Sequence, residues 1–104
     1  MFFGPGKADL LDLIVAEGSI AAAGRRMNMS YKRAWQLVEE MNAMFAVPLV
    51  ASARGGSGGG GAWLTEAGQA VLAEYRGLQR DLAEAGAARL TALEARLAGT
   101  DPQG

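Results

Sequence analysis

The sequence predicts a mainly α-helical fold with one small β-hairpin, and three observations support this prediction. Apolar residues recur at spacings of three and four in three separate stretches, which is the period of an amphipathic helix. A glycine-rich run between Gly55 and Gly61 separates two short extended stretches, as in a hairpin. The chain has 104 residues, the size of a single domain with one core.

Two helices are predicted in the first quarter of the chain. Apolar spacing after the breaker cluster Gly4-Pro5-Gly6 predicts a helix from about Lys7 to Glu17. Gly18 is expected to end this helix, and Ser19 to cap the next one, because its hydroxyl can accept from a first-turn N–H. The second helix runs from Ile20 to about Arg26 and is rich in alanine, so a neighbouring helix can approach it closely.

The third helix is predicted from Ser30, its N-cap, to Phe45, and it has two different faces. Its apolar stripe consists of Ala34, Leu37, Val38, Met41 and Phe45. Lys32, Arg33 and Gln36 lie opposite, near the N-terminal end. Two helices joined by about four residues, the second amphipathic and basic at its start, form the helix-turn-helix pattern.

A hairpin and a last helix complete the predicted fold. Leu49-Val50 begins the first strand, and Ala62-Trp63-Leu64 forms the second. Thr65 is expected to cap a helix over residues 65–98, which can bend or break near Gly86 because glycine weakens a helix by about 1 kcal/mol. The order helix, helix-turn-helix, hairpin, helix is that of a winged helix-turn-helix, in which residues 1–64 form the DNA-binding domain.

The apolar stripe of the last helix predicts a homodimer. A stripe that extends beyond a small domain needs a partner surface, so we expect residues 65–98 to pack on their counterpart in a second chain. The residues expected at this dimer interface are Leu10, Val71, Tyr75, Leu78 and Leu82, and the stripe continues through Leu90, Leu93 and Leu97. The tail over residues 99–104 is expected to be disordered.

Composition excludes several classes of function. The chain has no cysteine and no histidine, which removes thiolate nucleophiles, disulfides, the usual zinc sites and imidazole catalysis. Its serines fall at capping or loop positions, so we expect no enzyme, no metal site and no cofactor. No signal peptide or membrane span is recognisable, which favours a cytoplasmic protein without a membrane partner.

The distribution of charge favours nucleic acid as the partner, although the net charge of −1 does not. Between Gly18 and Val38 there are four basic residues and no acidic one, whereas from Leu64 onward there are four basic and six acidic residues. Positive charge is therefore concentrated where the third helix begins. We expect this end of the helix to enter the major groove of double-stranded DNA.

The candidate groove and base contacts lie on the third helix: Ser30, Tyr31, Lys32, Arg33, Trp35 and Gln36. Two interpretations of Tyr31 and Trp35 stay open here, because amphipathic rings also occur at core edges. The candidate phosphate and wing contacts are Ser19, Arg25, Arg26, Arg54, Gly56, Ser57 and Gly58. Capping alone also explains Ser19, and the two arginines can equally be ordinary surface residues.

The glycine-rich loop favours a wing rather than a nucleotide site. Gly56, Gly58 and Gly61 satisfy GxGxxG, but so glycine-rich a run does so by chance. It lacks the strand-loop-helix unit and the acidic residue about 20 positions later, and no Lys-Ser/Thr follows for a P-loop. Glycines let the backbone lie close to phosphates, with Arg54 supplying charge. A linker without a partner remains the alternative.

Specific residues resemble one family of regulators. Gly18-Ser19-Ile20, Ser30-Tyr31-Lys32 with Ala34-Trp35, Pro48-Leu49-Val50, the glycine run and Leu64-Thr65 resemble the N-terminal DNA-binding domain of the molybdate-dependent regulator ModE. The looser pattern of GSIAAA, PLV and LT resembles LysR-type regulators. The resemblance covers roughly residues 8–76 and implies a homodimeric regulator bound to an operator. It places molybdate in C-terminal ligand domains, so no molybdate site is expected within this chain.

Together these observations predict a cytoplasmic, homodimeric transcriptional regulator that binds a pseudo-palindromic operator. The alternative function is a winged helix that contacts other proteins and works with a separate sensor. It is motivated by the slightly negative net charge.

Overall fold

The computed structural model describes residues 3–53 and 61–99. Its elements are α1 (Pro5–Glu17), α2 (Ile20–Arg26), α3 (Tyr31–Met44), β1 (Val50–Ser52), β2 (Ala62–Leu64) and α4 (Glu66–Glu94). The two strands form one antiparallel hairpin in which Ala51 lies opposite Trp63. The predicted mainly α fold with a small hairpin is therefore confirmed.

The connection from α1 to α2 follows the predicted end and cap. Gly18 ends α1 with a left-handed backbone (φ 70°), and its N–H donates to the Ile14 carbonyl at 2.8 Å. The Ser19 hydroxyl accepts from the Ala22 N–H at 3.1 Å and so caps α2. α1 begins two residues earlier than predicted, at Pro5, because the first turn of a helix tolerates a residue without an N–H.

A short turn between α2 and α3 sets the angle of the helix-turn-helix. Asn28 adopts a left-handed conformation (φ 57°), which asparagine tolerates better than most residues. Gly24 allows the two helices to touch, since a Cβ there would lie 2.9 Å from the Ala34 Cβ. The Ser30 hydroxyl accepts from the Arg33 N–H at 3.0 Å, which confirms Ser30 as the N-cap of α3.

The core lies where α1, α3, the hairpin and the start of α4 meet. Its largest fully buried side chains are Leu10, Leu11, Ile14, Val38, Met41 and Leu49. No polar or charged side chain is buried within residues 3–53 and 61–99. Leu10 was expected at the dimer interface, and this expectation is wrong, because its side chain is completely buried inside its own chain.

The base of the hairpin is bonded to α3 on one side and to α4 on the other. The Asn42 side chain accepts from the N–H groups of Leu49 and Val50 at 2.9 and 3.0 Å, and donates to the Val50 carbonyl at 3.1 Å. Opposite it, the Thr65 N–H donates to the Leu49 carbonyl at 2.9 Å, and the Thr65 hydroxyl donates to the Pro48 carbonyl at 2.6 Å. α3 and α4 are thus held to the same three residues, 48–50.

α4 is a single helix of 29 residues, about 43 Å long, and it continues without a break through Gly86. Its beginning approaches the hairpin closely, because a Cβ at Gly68 would lie 2.1 Å from the Leu49 carbonyl oxygen. Arg76 then joins it to α1, donating to Asp9 at 2.8 Å and Asp12 at 2.5 Å. These hydrogen bonds to Asp9 and Asp12 raise the pKa of Arg76 further above its ordinary value.

None of the helices in the described part of the chain is long and apolar enough to cross a membrane.

Candidate nucleic-acid interface

The exposed N-terminal half of α3 forms the candidate interface. We call Tyr31, Lys32, Arg33 and Gln36 the basic face, and all four side chains are exposed. Neither Lys32 nor Arg33 has an acidic partner in the described parts of the chain. The opposite side of α3 buries Ala34, Val38 and Met41 in the core. The basic face therefore points outward from a rigid support.

The two aromatic residues of α3 have different surroundings. Trp35 is half-buried and packs against the core, whereas Tyr31 keeps 57% of its surface exposed. Their rings meet edge to face, with centroids 6.2 Å apart and planes at 81°. Trp35 thus lies at the edge of the core, while Tyr31 is available to an external partner.

The candidate phosphate contacts on α2 also differ from one another. Arg25 is exposed and has no acidic partner within residues 3–53 and 61–99. Arg26 donates to the Glu17 carboxylate at 3.2 Å, an ion pair that joins the last turns of α1 and α2. Ser19 is half-buried and its hydroxyl caps α2. Arg26 must therefore share or leave Glu17 before it can bind a phosphate.

A cleft of about 810 Å³ separates α3 from the hairpin. Tyr31, Trp35 and Glu39 line its α3 side, and Ser19 lines it at the start of α2. Ser52 and Ala62 belong to the hairpin wall. The cleft opens beside the basic face, so a polymer bound to α3 would also meet hydroxyl groups here.

The predicted wing contacts Arg54, Gly56, Ser57 and Gly58 lie outside the described residues, as do residues 100–104 of the predicted disordered tail. The base of the hairpin is described and is firmly held. The Ala62 N–H donates to the Gly18 carbonyl at 2.9 Å, and the Ala53 N–H donates to the Gly61 carbonyl at 3.0 Å. Any wing therefore starts from a base that is bonded to the α1–α2 turn.

The residues predicted for the dimer interface fall into two groups. Val71 and Tyr75 are half-buried against their own core, where Tyr75 packs edge to face on Phe3 with centroids 5.1 Å apart. Leu78 and Leu82 are exposed, and the stripe continues through the exposed side chains of Leu90, Leu93 and Leu97. Beyond Tyr75 there is thus an apolar surface that no described residue of the chain covers.

Three residues beside the interface were not given a role by sequence reasoning. Glu39 lines the cleft, Asn42 holds the hairpin, and Glu17 pairs with Arg26. Asn42 had a signal in the sequence, because a polar residue next to Met41 at the edge of the apolar stripe needs a bonding partner. For Glu17 and Glu39, helical spacing indicates that the side chain is exposed, but it does not indicate which residue of another element lies beside it. Within residues 3–53 and 61–99, no group of three potential metal-ligating side chains occurs.

The chain matches a family of known proteins over more than half of its length. The model described as "Bacterial regulatory helix-turn-helix protein, lysR family" matches residues 7–69. The molybdenum-pterin-binding protein MopB of Rhodobacter capsulatus is 41% identical over 99 residues, which cover 95% of this chain and 35% of MopB. The DNA-binding transcriptional dual regulator ModE of Escherichia coli K12 is 41% identical over 75 residues, 72% of this chain and 29% of ModE.

The chain spans about a third of the length of the curated relatives that it matches. The predicted resemblance to the N-terminal part of ModE is confirmed. Among solved structures, the CbnR DNA-binding domain in a crystal structure with DNA superposes with a TM-score of 0.66 and 22% identity. The match covers 88% of this chain and 99% of that domain, which supports the fold.

Proposed function

Because the chain belongs to the lysR family of bacterial regulatory helix-turn-helix proteins, we propose that it binds a pseudo-palindromic DNA operator as a homodimer and regulates transcription there. The observation that carries this proposal is the basic face of α3. It is exposed, cationic and unpaired within the described residues, and the core and the Ser30 cap support it from behind.

In the proposed complex, the N-terminal half of α3 enters the major groove. Lys32 and Gln36 lie one turn apart on the same side, so both can reach base edges. A lysine donates to guanine O6 and N7, and a glutamine pairs with adenine N6 and N7. Ser30, Tyr31 and Arg33 belong to the first turn, where side chains and backbone N–H groups meet phosphates.

Phosphate contacts on both sides of the groove would fix the register. Arg25 is available directly, and Arg26 becomes available when its ion pair with Glu17 breaks. An exposed ion pair of this kind contributes at most about 1 kcal/mol to stability. On the other side, the hairpin would place Arg54, Gly56, Ser57 and Gly58 against the backbone. Each phosphate neutralised would add about 0.9 to the slope of log affinity against log salt concentration.

The proposed homodimer rests on the distal half of α4. Leu78, Leu82, Leu90 and Leu93 are exposed there on one apolar side of a helix that continues beyond the core. Two copies packed through this surface would bury those leucines and relate the two basic faces by a two-fold axis. A two-fold protein matches a palindromic site with half-sites about one helical turn apart.

The test is a binding titration on DNA enriched by in vitro selection with the parent protein, at two salt concentrations. Lys32→Ala and Gln36→Ala are each expected to weaken specific binding about 5- to 150-fold, the range for one lost base contact. Arg33→Ala is expected to weaken binding to all sequences and to lower the salt slope by about 1. Arg80→Ala removes the same charge from exposed α4 and serves as the matched control.

Equal affinity of the parent and the three α3 variants would contradict the assignment of the interface. A protein that binds no DNA at low salt would support the second candidate, a winged helix that contacts other proteins. That candidate is favoured by Trp63, which is half exposed on the outer side of the hairpin, and by the net charge of −1.

A further inference from the structure

The basic face of α3 is followed by one unpaired carboxylate. Glu39 lies three residues after Gln36 and seven after Lys32, so the three side chains project within an arc of about 60° around the helix. Glu39 is exposed and lines the cleft together with Tyr31 and Trp35. It has no hydrogen bond or ion pair with any residue of the described ranges.

The neighbouring carboxylate shows the contrast. Glu40 projects about 100° further around α3 and pairs with Lys7 of α1 at 3.7 Å. Its charge is thus balanced by a lysine of the same chain. Glu39 carries the same charge beside Lys32 and Gln36 and has no ion pair within the described residues.

A carboxylate in the major groove restricts what it can face. Phosphates repel it, and an unpaired charge taken out of water is costly. The hydrogen-bond donors that bases offer there are the amino groups of cytosine N4 and adenine N6. Adenine N6 stands beside the acceptor N7, which repels a carboxylate, whereas no acceptor of the same base lies beside cytosine N4. Glutamate therefore selects cytosine.

We propose that Glu39 is a specificity-determining residue that accepts a hydrogen bond from N4 of a cytosine in each operator half-site. This inference rests on the proposed DNA-binding function and adds a base to it. Lys32 and Gln36 supply attraction, whereas Glu39 makes binding unfavourable wherever that cytosine is missing. Repulsion from the wrong partner is a general route to specificity.

The experiment compares the sequences enriched by in vitro selection from a random duplex library. The parent protein is expected to enrich a cytosine at one position of each half-site. At the same position, Glu39→Gln is expected to enrich an adenine, because a glutamine amide matches adenine N6 and N7. Glu39→Ala is expected to lose the preference at this position alone. On the parent's consensus, Glu39→Gln is expected to bind about 5- to 150-fold more weakly.

Glu40→Gln is the matched control, because it makes the same chemical change at the carboxylate that pairs with Lys7. It is expected to select the same consensus sequence as the parent protein. The inference is overturned if Glu39→Gln and Glu39→Ala enrich the parent's consensus unchanged, even when both bind more tightly because a negative charge is gone. A parent protein that enriches no sequence refutes the proposed function itself, and the inference falls with it.

Discussion

The two halves of α4 carry one apolar stripe but have opposite surroundings. At the start of the helix, the N-cap Thr65 and Gly68 contact the base of the hairpin, and Arg76 in the first half bonds to α1. In the second half, from Leu78 to Glu94, the leucines of the stripe are exposed. The comparison shows that helical spacing predicts which face of a helix is covered, whereas only the folded chain shows whether its own core covers it.

The largest effect is expected on dimer association, at the exposed leucines of the second half of α4. Leu82 keeps 62% of its surface exposed, and burial of a leucine contributes about 1.5–3 kcal/mol. Because only the exposed part of Leu82 can be newly buried and a two-fold interface contains each residue twice, Leu82→Ser is expected to cost about 2–4 kcal/mol of association free energy. The dimer dissociation constant, measured by sedimentation equilibrium, would then rise by at least about 25-fold.

Ala87→Ser is the matched control for the dimer, because Ala87 is exposed on α4 about 140° around the helix from Leu82. It is expected to leave the dissociation constant within about threefold. A parent protein that stays monomeric at high concentration would contradict the proposed role of the distal half. The distal leucines would then need a different partner.

A large effect is also expected where the first half of α4 touches the hairpin. In Gly68→Ala, the new Cβ would lie 2.1 Å from the Leu49 carbonyl oxygen, a backbone atom already bonded to the Thr65 N–H. Such overpacking costs about 1–3 kcal/mol or more, and we expect the upper end because backbone must move. Urea unfolding would show the loss as a lower midpoint with an unchanged slope.

Gly77→Ala tests whether this cost comes from the contact or from the helix. Gly77 lies later in α4, and its Cβ would meet only the end of the Arg80 side chain at 3.7 Å. Alanine favours a helix by up to about 1 kcal/mol over glycine, so this variant is expected to be as stable as the parent or more stable. Equal losses in both variants would contradict a specific close approach at Gly68.

Local patterns in the sequence were sufficient to predict the elements. Ser19, Ser30 and Thr65 precede helices as good N-caps, Gly18 follows a helix, and Asn28 fits a left-handed turn. Each of these predictions depends on a few neighbouring residues. For the same reason the basic face of α3 could be located from helical spacing and charge alone.

Contacts between distant residues could not be predicted in this way. Leu10 was assigned to the dimer interface because apolarity alone does not distinguish a core residue from an interface residue. Its side chain is buried in the core of its own chain. Glu17 and Arg26, or Asp9 and Arg76, are paired by the tertiary fold, across 9 and 67 residues. Such pairs leave no periodic trace in a single sequence.

A smaller loss of stability than at Gly68 is expected at Asn42, a residue of α3 that bonds to the same part of the hairpin. Its amide makes three hydrogen bonds to the backbone of Leu49 and Val50, so Asn42→Ala leaves part-buried N–H groups without their partner. The expected cost is about 1–3 kcal/mol, with faster amide hydrogen exchange at both residues. Gln69→Ala, which removes an exposed amide from α4, should stay within about 0.5 kcal/mol of the parent. Parental stability together with parental exchange in Asn42→Ala would show that Thr65 and Gly68 hold the hairpin without help from α3.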